Sequence, residues 1–327
     1  MVGKGTVAPL SFLRFDHAGQ GGRPLLLLHG WPETRRIWKR NVEPLAAAGF
    51  EVIAPDLRGF GDSPLAPDDR YDVAAHSSDM LALVRETFGH RQVTVCAGDL
   101  GGAVAQDMSL RFPGLVDRLC LFNTIAPVLG EPAEVSPVTR MAADYFVRQA
   151  KDADGLAAEV DTPDKRRRYI AGFYGPRFWA APGSFTREDV DFMTEPFADA
   201  ARFRASIANY EYVGGPRTAP EPPLLREVNP TPALILYGPE DHVIPREFPQ
   251  RMEAAFPDRA GPFVVPGAGH FLQWERADVL NGALRWLCLP SWSPEPATDP
   301  AGAWPRPSSS RSPESRRAAR APSPRPR

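Results

Sequence analysis

The sequence predicts an α/β protein with a mostly parallel sheet, helices on both faces and an inserted helical lid domain. Short apolar runs alternate with stretches of helical periodicity, which is the pattern of a parallel sheet covered on both sides. The runs are almost continuously apolar, as expected of strands buried on both faces. Residues 124–232 contain no such run and are too long for a connection, so they predict an insertion.

Six apolar runs predict strands, namely "PLLLLHG", "EVIAPD", "QVTVCAG", "RLCLFN", "ALILYG" and "PFVVPG". Between them, "DMLALVRETF" and "GAVAQDMSLRF" have the spacing of helices. We therefore expect a core formed by residues 1–125 and 230–290, interrupted by a helical insertion at 126–229. Residues 291–327 are rich in Pro, Ser, Arg and Ala, cannot bury a core, and are predicted to be disordered.

The composition excludes several classes of protein. With 327 residues, 43% hydrophobic residues and a net charge of −2, the chain has no charge excess that favours nucleic acid or an anionic membrane. No apolar run reaches membrane-spanning length, and the N-terminus has no apolar core of signal-peptide length. The three cysteines lie far apart without metal-ligand spacing, which favours a reduced, cytoplasmic setting. No metal or organic cofactor is expected, and the oligomeric state is left open.

The stretch "QVTVCAGDLGGAVA" predicts a reactive carboxylate at Asp99. A strand runs directly into a helix here, and so tight a reversal forces its central residue toward positive φ. Ala97, Gly98, Gly101 and Gly102 leave room for the two arms, in the spacing of a nucleophile elbow with Asp in place of Ser. The helix N-terminus favours the ionised carboxylate. The alternative is that Asp99 only caps the helix.

A base and an orienting acid follow later in the chain. "VVPGAGHFLQWE" places His270 just after the last apolar run, and the remaining histidines lie in surface, helix-start or other loop contexts. "LILYGPEDHVIP" offers Glu240 and Asp241 after the preceding run, of which we favour Asp241. The resulting order of Asp99, Asp241 and His270 is that of nucleophile, acid and histidine in α/β-hydrolases.

The loop "LLLLHGWPE" predicts one side of an oxyanion hole. In such an architecture one backbone N–H comes from this loop and another from the residue after the nucleophile, here Trp31 and Leu100. Taken alone, the glycine and proline of this loop are equally consistent with a simple turn at a strand end. We treat the turn-rich "PDLRGFGDS" as scaffold.

Together these motifs resemble the α/β-hydrolase superfamily and, within it, the branch of epoxide hydrolases and haloalkane dehalogenases. "HGWPE", "PDLRGFGDS", "GDLGGAVA", "YGPEDHVIP" and "GAGHFLQWE" occur in order, and the resemblance extends from about residue 10 to residue 289. "HGWPE" together with Asp99 leans toward epoxide hydrolases. The resemblance implies that the insertion at 126–229 is a helical lid.

The resemblance implies a two-step reaction without a cofactor on a small hydrophobic substrate. Asp99 attacks an epoxide carbon and forms an alkyl–enzyme ester, which water activated by His270 hydrolyses to a vicinal diol. Similar enzymes use two lid tyrosines as acids, for which Tyr145 and Tyr210 are the candidates here, with Tyr212 as the alternative second residue. Buried tyrosines are also common in helical lids.

Two other functions compete with this prediction. A haloalkane dehalogenase uses the same nucleophile, but Leu100 replaces the tryptophan that often follows the nucleophile and helps to hold the leaving halide. A ligand-binding protein without turnover on the same scaffold is the third hypothesis, against which the intact set of Asp99, Asp241 and His270 speaks.

Overall fold

The computed structural model describes residues 13–129, 140–175 and 179–289. The chain divides into two compact units, Met1–Glu295 and Pro296–Arg327. The second unit lies outside the described residues, as does the whole stretch 291–327 for which disorder is predicted.

Seven strands form one sheet in the order β1-β3-β2-β4-β5-β6-β7. The first pairs antiparallel with β3, and all other neighbours are parallel. The strands are β1 (Phe15–Ala18), β2 (Arg23–Leu28), β3 (Phe50–Pro55), β4 (Val93–Gly98), β5 (Val116–Thr124), β6 (Ala233–Tyr237) and β7 (Arg259–Val264). The mostly parallel sheet is confirmed, and β1 is an addition that no apolar run indicated.

The central strands are covered on both faces, as their sequences predict. Every residue of β3, β4 and β6 is buried, so neither face of the sheet is open to water at these positions. The expectation is wrong for β7, where Phe263 is 44% and Val264 58% exposed. This strand lies at the edge of the sheet, which an apolar run alone does not reveal.

The described α-helices lie between the strands and after the last strand. Before the insertion they are α1 (Val42–Ala47), α2 (Val73–Ala82) and α3 (Asp99–Arg111). Between β5 and β6 the chain forms α4 (Arg140–Lys151), α5 (Ala153–Glu159), α6 (Pro163–Ala171), α7 (Arg187–Thr194), α8 (Ala200–Ser206) and α9 (Ala208–Gly214). After β6 follow α10 (Phe248–Ala255), α11 (Leu272–Glu275) and α12 (Ala277–Leu287). None of the helices in the described ranges combines the length and apolar character needed to cross a membrane.

The register of the parallel strands places five loops at one edge of the sheet. Leu28 at the end of β2 pairs with Ala97 of β4, and Gly98 at the end of β4 pairs with Phe122 of β5. Phe122 also pairs with Leu236 of β6, and the next residue of β6 pairs with the last residue of β7. The residues that follow these strands therefore meet at one edge, although they are distant in sequence.

Candidate active site

Asp99 lies at the tip of the turn between β4 and α3. Its φ is +45°, which confirms the positive value predicted for this tight reversal. The capping interpretation is wrong, because the Asp99 carboxylate turns toward another loop instead of capping α3. Its Oδ1 accepts a hydrogen bond from the backbone N–H of Trp31 at 2.7 Å.

Glycines around Asp99 create the space for this arrangement. A Cβ atom at Gly30 would collide with the Asp99 side chain, so the loop after β2 can approach the carboxylate only with glycine there. A Cβ at Gly101 would lie 2.6 Å from the carbonyl oxygens of Leu28 and His29. The glycine spacing of the sequence motif is thus explained by contacts across the sheet edge.

His270 faces the other oxygen of Asp99. The imidazole Nε2 lies 3.5 Å from Asp99 Oδ2, and Nδ1 lies 2.8 Å from Asp241 Oδ2. The side chains of His270 and Asp241 are fully buried, whereas that of Asp99 is 17% exposed. Solvent therefore reaches this row of three side chains only at Asp99.

The charges of Asp241 and His270 stabilise each other. Burial alone would raise the pKa of Asp241, but His270 and the N–H groups of Val243 and Ile244 outweigh burial and lower it. Burial alone would lower the pKa of His270, but Asp241 and Asp99 raise it well above the ordinary value. His270 is therefore favoured as imidazolium while both carboxylates are ionised.

Sequence reasoning missed Asn123, which joins the ends of three strands. Its side-chain amide donates to Asp241 Oδ2 at 2.8 Å and to the carbonyl of Gly269 at 3.0 Å. Its Oδ1 accepts the N–H of Gly238 at 2.8 Å. Asn123 also has a φ of +36°, a value that asparagine tolerates better than most residues. Its place at the end of the run "RLCLFN" was the available signal.

Trp31 and Leu100, the two residues predicted for an oxyanion hole, both lie next to Asp99. Leu100 directly follows Asp99 and is buried, and its N–H belongs to the first turn of α3, where no intrahelical acceptor exists. The N–H of Trp31 already holds Asp99 Oδ1. Trp31 thus binds the Asp99 carboxylate, and Leu100 adjoins Asp99 in the chain.

Two buried side chains hold the loop that carries Trp31. His29 Nε2 accepts the N–H of Leu57 at 3.0 Å, which leaves Nδ1 to donate to the carbonyl of Gly30 at 2.9 Å. Glu33 Oε2 accepts the N–H of Gly30 at 2.8 Å, and its Oε1 accepts from Gln273 at 2.9 Å. Burial raises the pKa of Glu33 to about 7. Glu33 was part of the quoted motif "HGWPE", but sequence alone gave it no role.

The candidate tyrosines come from the inserted helices and pack around Trp31. The Trp31 ring stacks on Tyr145 at 5.9 Å and meets Tyr210 edge-on at 5.5 Å between ring centroids. The two hydroxyls are hydrogen-bonded to each other, and burial together with the charge of Asp99 raises the pKa of both phenols. Tyr212 instead contacts Arg217, whereas Tyr210 packs on Trp31 and is close enough to Asp99 to feel its charge.

More aromatic residues close the space above Asp99. Phe173 and Trp179 contact Trp31 and Tyr145, and the Trp179 ring lies 4.4 Å from the His270 imidazole. Phe178 lies outside the described residues. In the described ranges, no group of three or more His, Cys, Asp or Glu side chains is arranged to hold a metal ion.

Residues 23–277 match the family model of the alpha/beta hydrolase fold, and the chain therefore belongs to this family of hydrolases. The AB hydrolase superfamily protein YfhM of Bacillus subtilis is 28% identical over 272 residues, covering 81% of this chain and 90% of its own length. Epoxide hydrolase A of Mycobacterium tuberculosis is 27% identical over 305 residues, covering 83% of this chain and 92% of its own.

A solved structure has the same fold. The epoxide hydrolase CorEH, determined without ligand, superposes with a TM-score of 0.73 at 24% identity, covering 84% of this chain and 94% of its own. The sheet with its helices is thus the α/β-hydrolase fold that the motifs predicted.

Proposed function

We propose that the protein is an epoxide hydrolase in which Asp99 forms an ester with the substrate and His270 directs its hydrolysis. The observation that carries the proposal is the position of the Asp99 carboxylate between the Trp31 N–H at 2.7 Å and the His270 imidazole at 3.5 Å. The likeness to relatives named as epoxide hydrolases supports this reaction.

In the first step we assign the attack to Asp99 Oδ2, because Oδ1 is held by Trp31. A carboxylate needs no deprotonation to attack a strained carbon. The new ester C–O bond forms as the ring C–O bond breaks, and the departing oxygen takes a proton from Tyr145 or Tyr210. The raised pKa values keep both phenols protonated and able to donate until that moment.

In the second step His270 removes a proton from water, which adds to the carboxyl carbon of Asp99. Esterification abolishes the negative charge of Asp99, which is one of the causes of the raised His270 pKa. The imidazolium can then return its proton to the tyrosinate left by the first step and act as a base, while Asp241 keeps its orientation. The N–H groups of Trp31 and Leu100 stabilise the oxyanion, each by about 3 kcal/mol. Its collapse breaks the ester C–O bond, and the diol oxygen takes the remaining proton of the added water, which returns Asp99 as carboxylate and His270 as imidazolium.

The inserted helices would act as a lid over this site. They supply Tyr145, Tyr210, Phe173 and Trp179, which surround Trp31 and present mainly apolar surface around Asp99. A small, largely hydrophobic substrate suits such a site, since apolar walls with a few polar groups are typical of ligand pockets. We also propose that residues 126–229 form this lid as a separate domain and that the protein is cytoplasmic.

Halide release is the second candidate, because two tryptophans that contact Asp99 or His270 have indole N–H groups without an acceptor in the part of the chain that the structure describes. Among the described residues, neither Trp31 Nε1 nor Trp179 Nε1 has a hydrogen-bond partner, although both are buried. Two such donors would suit a departing halide. The tyrosine hydroxyls near Asp99 favour an epoxide instead, since an alkoxide needs a proton and a halide does not.

The test compares an aryl epoxide with a short bromoalkane and measures diol and bromide. We expect diol without bromide; bromide without diol would establish the second candidate, and neither product would contradict both. A single turnover in H₂¹⁸O with excess enzyme tests the mechanism. The first diol should carry unlabelled oxygen taken from Asp99, whereas direct attack by water would label it. Asp99→Ala should abolish turnover.

A further inference from the structure

Glu275 is a partly buried carboxylate beside the site that the proposed chemistry does not use. It ends α11, the four-residue helix that follows His270. Its Oε1 accepts the N–H of Ala181 at 3.0 Å, and its Oε2 accepts the N–H of Gly269. One side chain thus joins the residue before His270 to the inserted region between β5 and β6.

A second contact joins the same two segments. The backbone N–H of His270 donates to the carbonyl of Trp179 at 2.7 Å, and the Trp179 ring packs on the imidazole. A Cβ at Gly269 would lie only 2.7 Å from the nitrogen of Ala181, so the segments touch without room for a side chain. Residues 179–181 therefore form one wall against the His270 loop.

The chemistry of Glu275 fits this position better than that of a neutral residue. Both partners are N–H donors, and an ionised carboxylate presents a strong acceptor oxygen to each of them. Glutamine would accept one hydrogen bond and turn its own N–H₂ toward the other donor. Burial raises the pKa of Glu275 to about 7, while the facing charge of His270 lowers it and that of Asp241 raises it.

The raised pKa gives the ionised Glu275 a stability cost. The folded chain binds this proton more tightly than the unfolded chain, so the contribution to stability is lost as pH rises from 4.5 through about 7. An ionised group that costs stability while it holds two loops beside reacting atoms is typical of a functional site.

We propose that Glu275 is a positioning residue that fixes residues 179–181 to Gly269 and so holds the His270 imidazole in place for ester hydrolysis. This inference rests on the proposed function, in which His270 acts only in the second step. Attack by Asp99 needs no base, so loss of Glu275 should slow hydrolysis of the ester and spare its formation.

The kinetic test compares Glu275→Gln with Glu253→Gln, the same change at an exposed position of α10. In single turnovers with an aryl epoxide, Glu275→Gln should form the ester within about twofold of the wild-type rate and hydrolyse it at least about tenfold more slowly. The ester should accumulate and be visible by intact mass spectrometry. Glu253→Gln should behave as wild type. Equal slowing of both steps, or of neither, would overturn the proposal.

A readout without substrate separates this inference from the proposed function. Hydrogen–deuterium exchange in peptides covering 179–185 and 265–272 should be faster in Glu275→Gln than in wild type and unchanged in Glu253→Gln. A wild-type protein that opens no epoxide would contradict the proposed function, whereas unchanged exchange in Glu275→Gln would contradict the positioning role of Glu275. If Glu275→Gln does not fold, Glu275→Asp, which keeps the charge but shortens the reach, must show the same kinetic split and the same faster exchange.

Discussion

The side-chain amide of Asn123 donates to Asp241 Oδ2 at 2.8 Å, the same oxygen that faces His270 Nδ1 at 2.8 Å. Asn123 thus fixes the direction from which Asp241 meets the imidazole. Because it also binds Gly238 and Gly269, it ties the acid loop to the His270 loop.

Removing the Asn123 amide should lower turnover. We expect Asn123→Gly to reduce kcat by about 10- to 100-fold, the effect of losing a hydrogen bond to a charged group. Glycine tolerates the φ of +36°, so this variant removes the side chain without adding backbone strain. Steady-state kinetics with an aryl epoxide provides the measurement. Unchanged kcat in a folded Asn123→Gly protein would show that Asp241 keeps its place unaided.

The choice between the two adjacent acids is testable by matched substitutions. Asp241 contacts His270, whereas Glu240 is exposed. Asp241→Asn should lower kcat by about 10²- to 10⁴-fold, as loss of the orienting acid does in other histidine-based hydrolases. Glu240→Gln should remain within twofold of wild type, roughly the scatter for an exposed change. The opposite ranking would reassign the acid.

Neutralising Asp99 should lower the pKa of His270. Asp99 raises that pKa through its charge, and Asp99→Asn imitates the uncharged ester. Titration of the imidazole resonances by NMR in wild type, Asp99→Asn and Glu253→Gln measures the effect. A His270 pKa equal in all three proteins would contradict the view that ester formation converts His270 into a base.

Two glycine substitutions should have different effects, because one glycine contacts Asp99 and the other has open space around it. Gly30→Ala should abolish most activity, because the new methyl group meets the Asp99 side chain. Gly282→Ala, in the middle of α12 with open space around it, should raise the free energy of unfolding by about 0.5–1 kcal/mol. Urea denaturation and diol assays measure both. An active Gly30→Ala protein would refute the close approach of this loop to Asp99.

His76 should make the fold sensitive to acid. It lies in the first turn of α2, in agreement with the expected helix-start context, but it is fully buried and not at the surface, and burial lowers its pKa well below 6.5. Below pH 6.5 the unfolded chain binds a proton that the folded chain does not. The free energy of unfolding therefore decreases as the pH is lowered, by up to about 1.4 kcal/mol per pH unit. His76→Phe should reduce the loss of unfolding free energy between pH 7 and pH 5. An unchanged pH dependence would exclude His76 as its source.

The sequence predicts the residues whose role follows from local spacing. The turn at Asp99 needs small neighbours within three positions, and His270 and Asp241 follow strand ends that apolar runs reveal. Glu33 is different, because its partner Gln273 is 240 residues away and only the folded sheet edge brings them together. The same holds for Glu275 and Ala181. The exposure of β7 was not predicted, because an apolar run in the sequence does not reveal whether its strand lies in the middle or at the edge of the sheet.

The unequal exposure of the three central side chains has a practical consequence for chemical labelling. Asp99 is 17% exposed beside the fully buried side chains of His270 and Asp241, and it is one of 40 acidic residues in the chain. A compact electrophile carrying a reporter tag would thus find a single oriented carboxylate, and substituting His270 would keep the tag attached. Such a reagent could count the molecules in a mixture whose Asp99 is reactive.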